Sequence, residues 1–227
     1  MIGIIAAMDL ELTLLIDKLE AVKDEKKCGI DFFIGQAGGK DVVLAVSGVG
    51  KVNASIATTL MISDYGCNFI INTGIAGGVH GVNTSDVIIG NKVMYYDVDV
   101  TNFGYEVGQI PKMPKYFAPN INVIVFMKTV LRNLGIPCKE ATIYSGDCFV
   151  SSFDHLRRVD TNVTSVVEME GAAVAHVCTK ASIDFLVLRY VSDLVGDPNQ
   201  IANYNEFEAE MARRSSEICL EILNNMN

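Results

Sequence analysis

Positive charge is scarce in this sequence: 18 Lys and Arg stand against 27 Asp and Glu, for a formal net charge of -9. An acidic chain is repelled by a nucleic-acid backbone and by an anionic membrane surface, so no nucleic acid and no membrane is expected as partner. A neutral or cationic small molecule fits better. Six cysteines, Cys28, Cys67, Cys138, Cys148, Cys178 and Cys219, form no C-x-x-C pair and have no histidine at zinc-ligand spacing, so no metal site is expected. They read as reduced, mostly buried thiols of a cytoplasmic protein. The apolar start from Ile2 to Met8 lacks a basic flank and meets Asp9 and Glu11 at once, which makes it a first strand and not a signal peptide. No apolar window reaches transmembrane length without a charge or turn signal. Internal repeats and low-complexity linkers are also missing.

What is present is a half-hydrophobic chain of 227 residues, long enough for one large α/β domain over 1–227. Apolar runs rich in Ile and Val alternate with segments of helical period, which predicts βαβ units around a mostly parallel sheet. Strands are expected near Ile2–Ala7, Val42–Ser47, Phe69–Asn72, Val87–Met94, Ala141–Ser145, Ser165–Val167 and Phe185–Val191. Helices are expected near Glu11–Leu19, Val52–Asp64, Val123–Leu134, Gly171–Ala181 and Asn205–Leu223. The run Phe32–Gln36, a Gly38-Gly39-Lys40 turn and Val42–Leu44 predict a hairpin, and so a mixed sheet. The stretch from Tyr95 to Asn120 carries Gly104, Gly108, Pro111, Pro114 and Pro119 without periodicity, as a functional or interfacial loop does.

Two glycine-rich pieces invite nucleotide readings that their spacing refuses. Ser47-Gly48-Val49-Gly50-Lys51 has Ala45 where a P-loop needs glycine and Val52 where it needs Ser or Thr. Asn72-Thr73-Gly74-Ile75-Ala76-Gly77-Gly78 lacks G-x-G-x-x-G spacing. Each is a strand followed by residues without side-chain bulk, which either exposes backbone amides to a ligand or makes a tight turn into a helix.

Four carboxylates stand out by context: Glu11 after the first strand, Glu168 and Glu170 in Val166–Ala173, and Asp193 after the last strand. Ionised carboxylates are costly to bury unless paired or hydrogen-bonded, so acids at strand ends usually have a purpose, and convergence of all four at the carboxyl edge of the sheet would suit acid and base chemistry. Local alternatives remain for two of them: a first-turn helix acid for Glu11 and a cap or turn residue for Asp193. Arg189, inside Leu186-Val187-Leu188-Arg189-Tyr190, needs a carboxylate or ligand partner if its strand is buried. His80, His155 and His176 read as structural, and no Ser, His and Asp arrangement supports a serine-hydrolase triad.

Taken together, Met1–Met8 with Glu11, Ser47–Lys51, Asn72–Gly78, Asp99-Val100-Thr101 with Phe103-Gly104-Tyr105, Ser145-Gly146-Asp147, Val167–Glu170 and Val191-Ser192-Asp193 resemble the bacterial-type 5'-methylthioadenosine/S-adenosylhomocysteine nucleosidases of the purine nucleoside phosphorylase superfamily. The resemblance runs in the family's order from first strand to last helix. It implies a three-layer α/β/α domain with a central mixed, partly barrelled β-sheet, a homodimer, no cofactor, and an adenine nucleoside as the small-molecule substrate. The implied reaction is hydrolysis of the N-glycosidic bond, which releases adenine and a 5-thioribose; 5'-deoxyadenosine is a further expected substrate.

The resemblance also implies roles. Asp193 is the general acid at adenine N7, positioned by Ser192, and Glu11 activates the attacking water with Arg189 as a further ligand of it. Glu170 takes the ribose hydroxyls, Met169 packs beneath the sugar, and Glu168 is the structural neighbour of Glu170. Phe149 stacks on adenine and the Val150 backbone reads its Watson-Crick edge. Ile75, Ala76 and Gly77 line the site, with Ile75 where relatives commonly have a serine. Met8, Val49 and Tyr204 form the apolar 5' pocket, completed by Val100, Phe103, Tyr105 and Pro111 of the neighbouring subunit; Tyr204 stands where a phenylalanine is expected. The rival readings are a phosphate-dependent phosphorylase of the same superfamily, a non-catalytic adenosyl-ligand binder, and a hydrolase of a related nucleoside such as aminofutalosine.

Overall fold

A computed structural model describes residues 1–226, with the side chains at 207–209, 211 and 212 left aside. Strand β1 (Ile2–Ala6) is buried at every position and pairs in parallel with both β4 (Lys40–Val46) and β5 (Phe69–Asn72), which is why its sequence is an unbroken apolar run. Strand β3 (Ile30–Ala37) joins β4 through the expected hairpin at Gly38-Gly39. Outside it lies β2 (Glu20–Lys27), an edge strand that sequence reading missed: it is polar and mostly exposed, so it carries neither an alternating nor a continuous apolar signal.

The other half of the sheet curls on itself. Strand β10 (Asp184–Leu194) pairs with β5 at its start, and further along with β6 (Ile75–His80) in parallel and with β7 (Val87–Tyr95) antiparallel. β7 continues to β8 (Cys138–Ser145), β8 to β9 (Ser165–Glu168), and β9 back to β6, so these five strands close a partial barrel in a mixed sheet.

The helices cover the two faces. On one, α2 (Lys51–Ser63) packs on α4 (Gly171–Ala181) through small buried residues, including Ala54, Ala57, Ala172 and Ala175. On the other, α1 (Thr13–Asp17), α3 (Ile121–Asn133) and α5 (Gln200–Asn225) pack their apolar stripes, Leu15, Ile124, Met127, Leu131, Ile218 and Ile222 among them. This is the expected three-layer α/β/α arrangement. The segment expected to be one helix from Glu11 to Leu19 is instead a 3-10 turn at Asp9–Glu11 followed by the short α1, and α5 begins five residues earlier than expected. No helix among the described residues is long and apolar enough to cross a membrane.

Gly74–Gly78 departs from expectation. The alternatives for it were a ligand-approach loop or a tight turn into a helix; most of it is strand β6, hydrogen-bonded between β10 and β9. Its glycines are required by crowding: a Cβ on Gly78 would lie 2.6 Å from the Leu194 side chain, and one on Gly77 would lie 3.2 Å from Asp193 Oδ2.

Candidate active site

A pocket opens where β1, β6, β9 and β10 meet the start of α5. All four carboxylates singled out in the sequence, Glu11, Glu168, Glu170 and Asp193, line it. They do not share one strand edge in the simple sense, since β9 runs against β6 and hence against β10. Curling of the sheet brings the ends together.

Asp193 and the adjacent Ser192 both line the cavity, although successive strand residues ordinarily point to opposite faces. The register of β10 against β6 slips between Val191 and Asp193, a bulge that re-aims this pair of side chains. Ser192 Oγ then donates to Asp193 Oδ1 at 2.6 Å, and Gln200 Nε2 donates to Asp193 Oδ2 at 2.7 Å.

Glu11 sits at the end of the 3-10 turn and is 2 % exposed. Its Oε2 accepts from the backbone N–H of Ala7 and of Met8, each at 3.0 Å, and its Oε1 from that of Ile75 at 3.1 Å. Burial raises its pKa above the ordinary glutamate value; those amides and the nearby Arg189 pull against that rise. Gly74 leaves room for this carboxylate, because a Cβ there would meet Glu11 Oε1 at 2.7 Å.

Glu170 accepts from the backbone N–H of Gly50 at 2.8 Å. Its pKa is raised by burial first and by the charge of Glu168 second, with Arg189 opposing. The backbone amides of both glycine-rich pieces are thus turned toward carboxylates: Gly50 to Glu170, and Ile75 to Glu11.

Glu168 is saturated by protein. Its Oε1 accepts from Ser145 Oγ, and its Oε2 accepts from the N–H groups of Glu170 at 3.1 Å and Gly171 at 2.8 Å, tying down the start of α4. It also accepts from Arg189 Nη2 in a fully buried ion pair. Arg189 spends its other donors on the carbonyls of Asn72 and Leu188 and on the Asn72 side chain, and its Nε alone has no partner among the described residues. Arg189 therefore has the carboxylate partner its sequence context demanded, and it is not on the cavity wall.

The remaining wall is mostly apolar. Met8, Val49, Ile75, Ala76, Gly77, Phe149, Val150, Met169 and Tyr204 all line it. Phe149 and Tyr204 meet edge-on, with ring centroids 5.7 Å apart. Val100, Phe103, Tyr105 and Pro111 are not on the wall; they belong to the loop between β7 and α3, where Phe103 is 81 % exposed. Among the described residues, no histidine, lysine or arginine lines the cavity, and no group of three or more His, Cys, Asp or Glu could hold a metal ion. Gln200 was missed by sequence reading, for a glutamine at the polar start of a helix carries no pattern that would single it out.

The profile of the phosphorylase superfamily matches residues 1–224. A 5'-methylthioadenosine/S-adenosylhomocysteine nucleosidase of Staphylococcus carnosus is 38% identical over 230 residues, covering 100% of both chains. The crystal structure of such a nucleosidase from Neisseria meningitidis in complex with methylthio-immucillin-A is 35% identical, covers 99% of each chain and superposes with a TM-score of 0.91. A futalosine hydrolase of Helicobacter pylori superposes equally well, at a TM-score of 0.92, with 28% identity over 99% of this chain and 97% of its own. On the full-length match to its sequence profile and relatives, this chain belongs to the phosphorylase superfamily and, within it, to the 5'-methylthioadenosine/S-adenosylhomocysteine nucleosidase family.

Proposed function

We propose that this chain hydrolyses the N-glycosidic bond of 5'-methylthioadenosine and S-adenosylhomocysteine, and of 5'-deoxyadenosine, releasing adenine and the ribose product. The observation that carries the reading is a pair of buried carboxylates, Glu11 and Asp193, facing one mostly apolar cavity from opposite ends of the chain.

Adenine is a poor leaving group as an anion, so the bond breaks when N7 receives a proton or a strong hydrogen bond while the ribosyl carbon becomes oxocarbenium-like. That task falls to Asp193, held by Ser192. Water bound at Glu11 attacks the ribosyl carbon and gives its proton to the Glu11 carboxylate. Burial favours the protonated form of Glu11, which helps it act as a base that keeps the proton. Glu170 accepts from the ribose hydroxyls, Met169 packs beneath the sugar, Phe149 stacks on the purine, and the Val150 backbone selects its 6-amino edge. Arg189 acts at one remove, by holding Glu168 and through it the start of α4 that carries Glu170.

Met8, Val49 and Tyr204 receive the 5' substituent, and in a homodimer Val100, Phe103, Tyr105 and Pro111 of the second subunit close that pocket. The exposure of Phe103 and of Val52, 81 % and 69 %, supports an interface on this side. Six free thiols support a cytoplasmic setting.

Hydrolysis is favoured over phosphorolysis because phosphate needs cationic donors, and none lines the cavity among the described residues. Adenine release from methylthioadenosine, measured with and without phosphate, tests the reading. Equal rates are expected, and absolute dependence on phosphate would overturn it. Sedimentation at micromolar concentration checks the dimer.

A further inference from the structure

We propose that the side chain of Gln200 is an internal competitor for the amino group of the purine, and so sets the affinity and selectivity of the adenine half of the site. The proposal rests on the reading that Asp193 and the Val150 backbone receive adenine.

Gln200 is the first residue of α5, 4 % exposed, and lines the cavity. Its carboxamide nitrogen donates to Val150 O at 2.9 Å and to Asp193 Oδ2 at 2.7 Å. Its oxygen accepts from the backbone N–H of Gly196 at 3.3 Å. Both N–H groups of the –NH2 are therefore committed, one to the carbonyl on the Watson-Crick side and one to the carboxylate on the N7 side.

The 6-amino group of adenine is chemically the same donor, a planar –NH2 conjugated to an sp² carbon and able to give one hydrogen to each of two acceptors. A nitrogen within hydrogen-bond reach of both oxygens occupies the space between them. A purine amino group enters that space only when the carboxamide leaves, and in the empty site the carboxamide supplies a donor to the buried Val150 carbonyl and to Oδ2 of the buried Asp193.

Two consequences follow from the position of Gln200 on the helix. Tyr204 lies one turn further along α5, on the same face, and also lines the cavity. Any movement of this turn of α5 that accompanies displacement of Gln200 would therefore couple the purine half of the site to the 5' half. After bond cleavage, return of the carboxamide to the same two oxygens displaces adenine.

Binding of free adenine to the full-length protein, measured by calorimetry, tests the proposal in Gln200→Ala and Gln200→Leu. Removal of a competitor that makes two buried hydrogen bonds, one of them to a carboxylate, should tighten adenine binding about tenfold or more. The KM for methylthioadenosine should fall in parallel. If Gln200 only positions Asp193 or caps the helix, both variants will bind adenine as weakly as wild type or more weakly, with a lower kcat, and that result overturns the proposal.

Crystal structures of the wild-type protein with and without adenine provide a readout independent of any variant's folding. With adenine bound, Gln200 Nε2 should lie beyond hydrogen-bond reach of both oxygens; a carboxamide still bonded to Val150 O and Asp193 overturns the proposal. Wild-type protein that neither binds nor releases adenine overturns the functional reading beneath it, whereas adenine binding that is normal in wild type and unimproved in both variants overturns the competitor role alone.

Discussion

Glu170 bears a large electrostatic strain for one side chain, and replacing it by glutamine should make the empty protein more stable at alkaline pH. The residue is 7 % exposed, and its carboxyl group, beside the charge of Glu168, has its pKa raised from 4.5 to about 7. A group whose folded pKa is raised contributes stability that is fully present below its unfolded value and lost as pH rises through the folded one. For Glu170 the loss therefore falls between pH 4.5 and a little above 7. At about 1.4 kcal/mol for each tenfold change in proton affinity, it amounts to on the order of 3 kcal/mol by pH 8.5. Glu170→Gln keeps the shape and an oxygen for the Gly50 N–H but does not titrate. Thermal unfolding of ligand-free wild type and variant, at equal protein concentration, should give similar Tm values at pH 5. At pH 8.5 the variant should melt higher by about 6–12 °C, given the 2–4 °C per kcal/mol of a chain this size. Because the comparison is between two pH values, any change in packing cancels. A variant advantage that is the same at both pH values, or absent at pH 8.5, refutes the electrostatic account. The same variant should lose nucleoside affinity, since the proposed ribose contact is what the strain serves.

Three further outcomes are expected. Asp193→Asn and Glu11→Gln should each lower kcat/KM for methylthioadenosine by about 10²–10⁴ with circular dichroism unchanged, and near-normal turnover in either would remove its assigned role. Glu168→Ala leaves the buried Arg189 without its carboxylate and α4 without its anchor, so urea denaturation should show a loss of about 3–5 kcal/mol; a loss under about 1 kcal/mol would mean the pair is not structural. Gly77→Ala places a methyl 3.2 Å from Asp193 Oδ2 and should slow adenine release by roughly tenfold in a steady-state assay, and wild-type turnover would show that the carboxylate tolerates displacement.

The strands that were legible in the sequence are those buried on both faces, such as β1 and β5, where continuous apolar residues leave no other reading. β2 was not, because an edge strand wetted on both faces needs no apolar residues, and β6 was not, because the glycines that let it pass between Asp193 and Leu194 erase strand propensity. Among site residues, Arg189 announced itself as a charge inside an apolar run. Gln200 could not, since its importance comes only from meeting Val150 and Asp193, which are distant in sequence or fixed by a bulge that no periodicity predicts.

The fate of the backbone amides explains what the glycine-rich pieces do where their spacing refuses a nucleotide phosphate. A turn that frees N–H groups at a strand end can hold any anion, and what fills the place decides the chemistry. Here the anions are the protein's own: Glu11 takes the amides of Ala7, Met8 and Ile75, and Glu170 takes that of Gly50. With its anion seats occupied internally and no cation on the wall among the described residues, the cavity disfavours phosphate and suits a neutral nucleoside. The attacking group in the proposed reaction is then water, which a buried carboxylate can both bind and deprotonate. Exchange of Glu11 for a neutral residue such as alanine would free the amides of Ala7, Met8 and Ile75 for an anion, and so remove one barrier to phosphate at the first strand's exit.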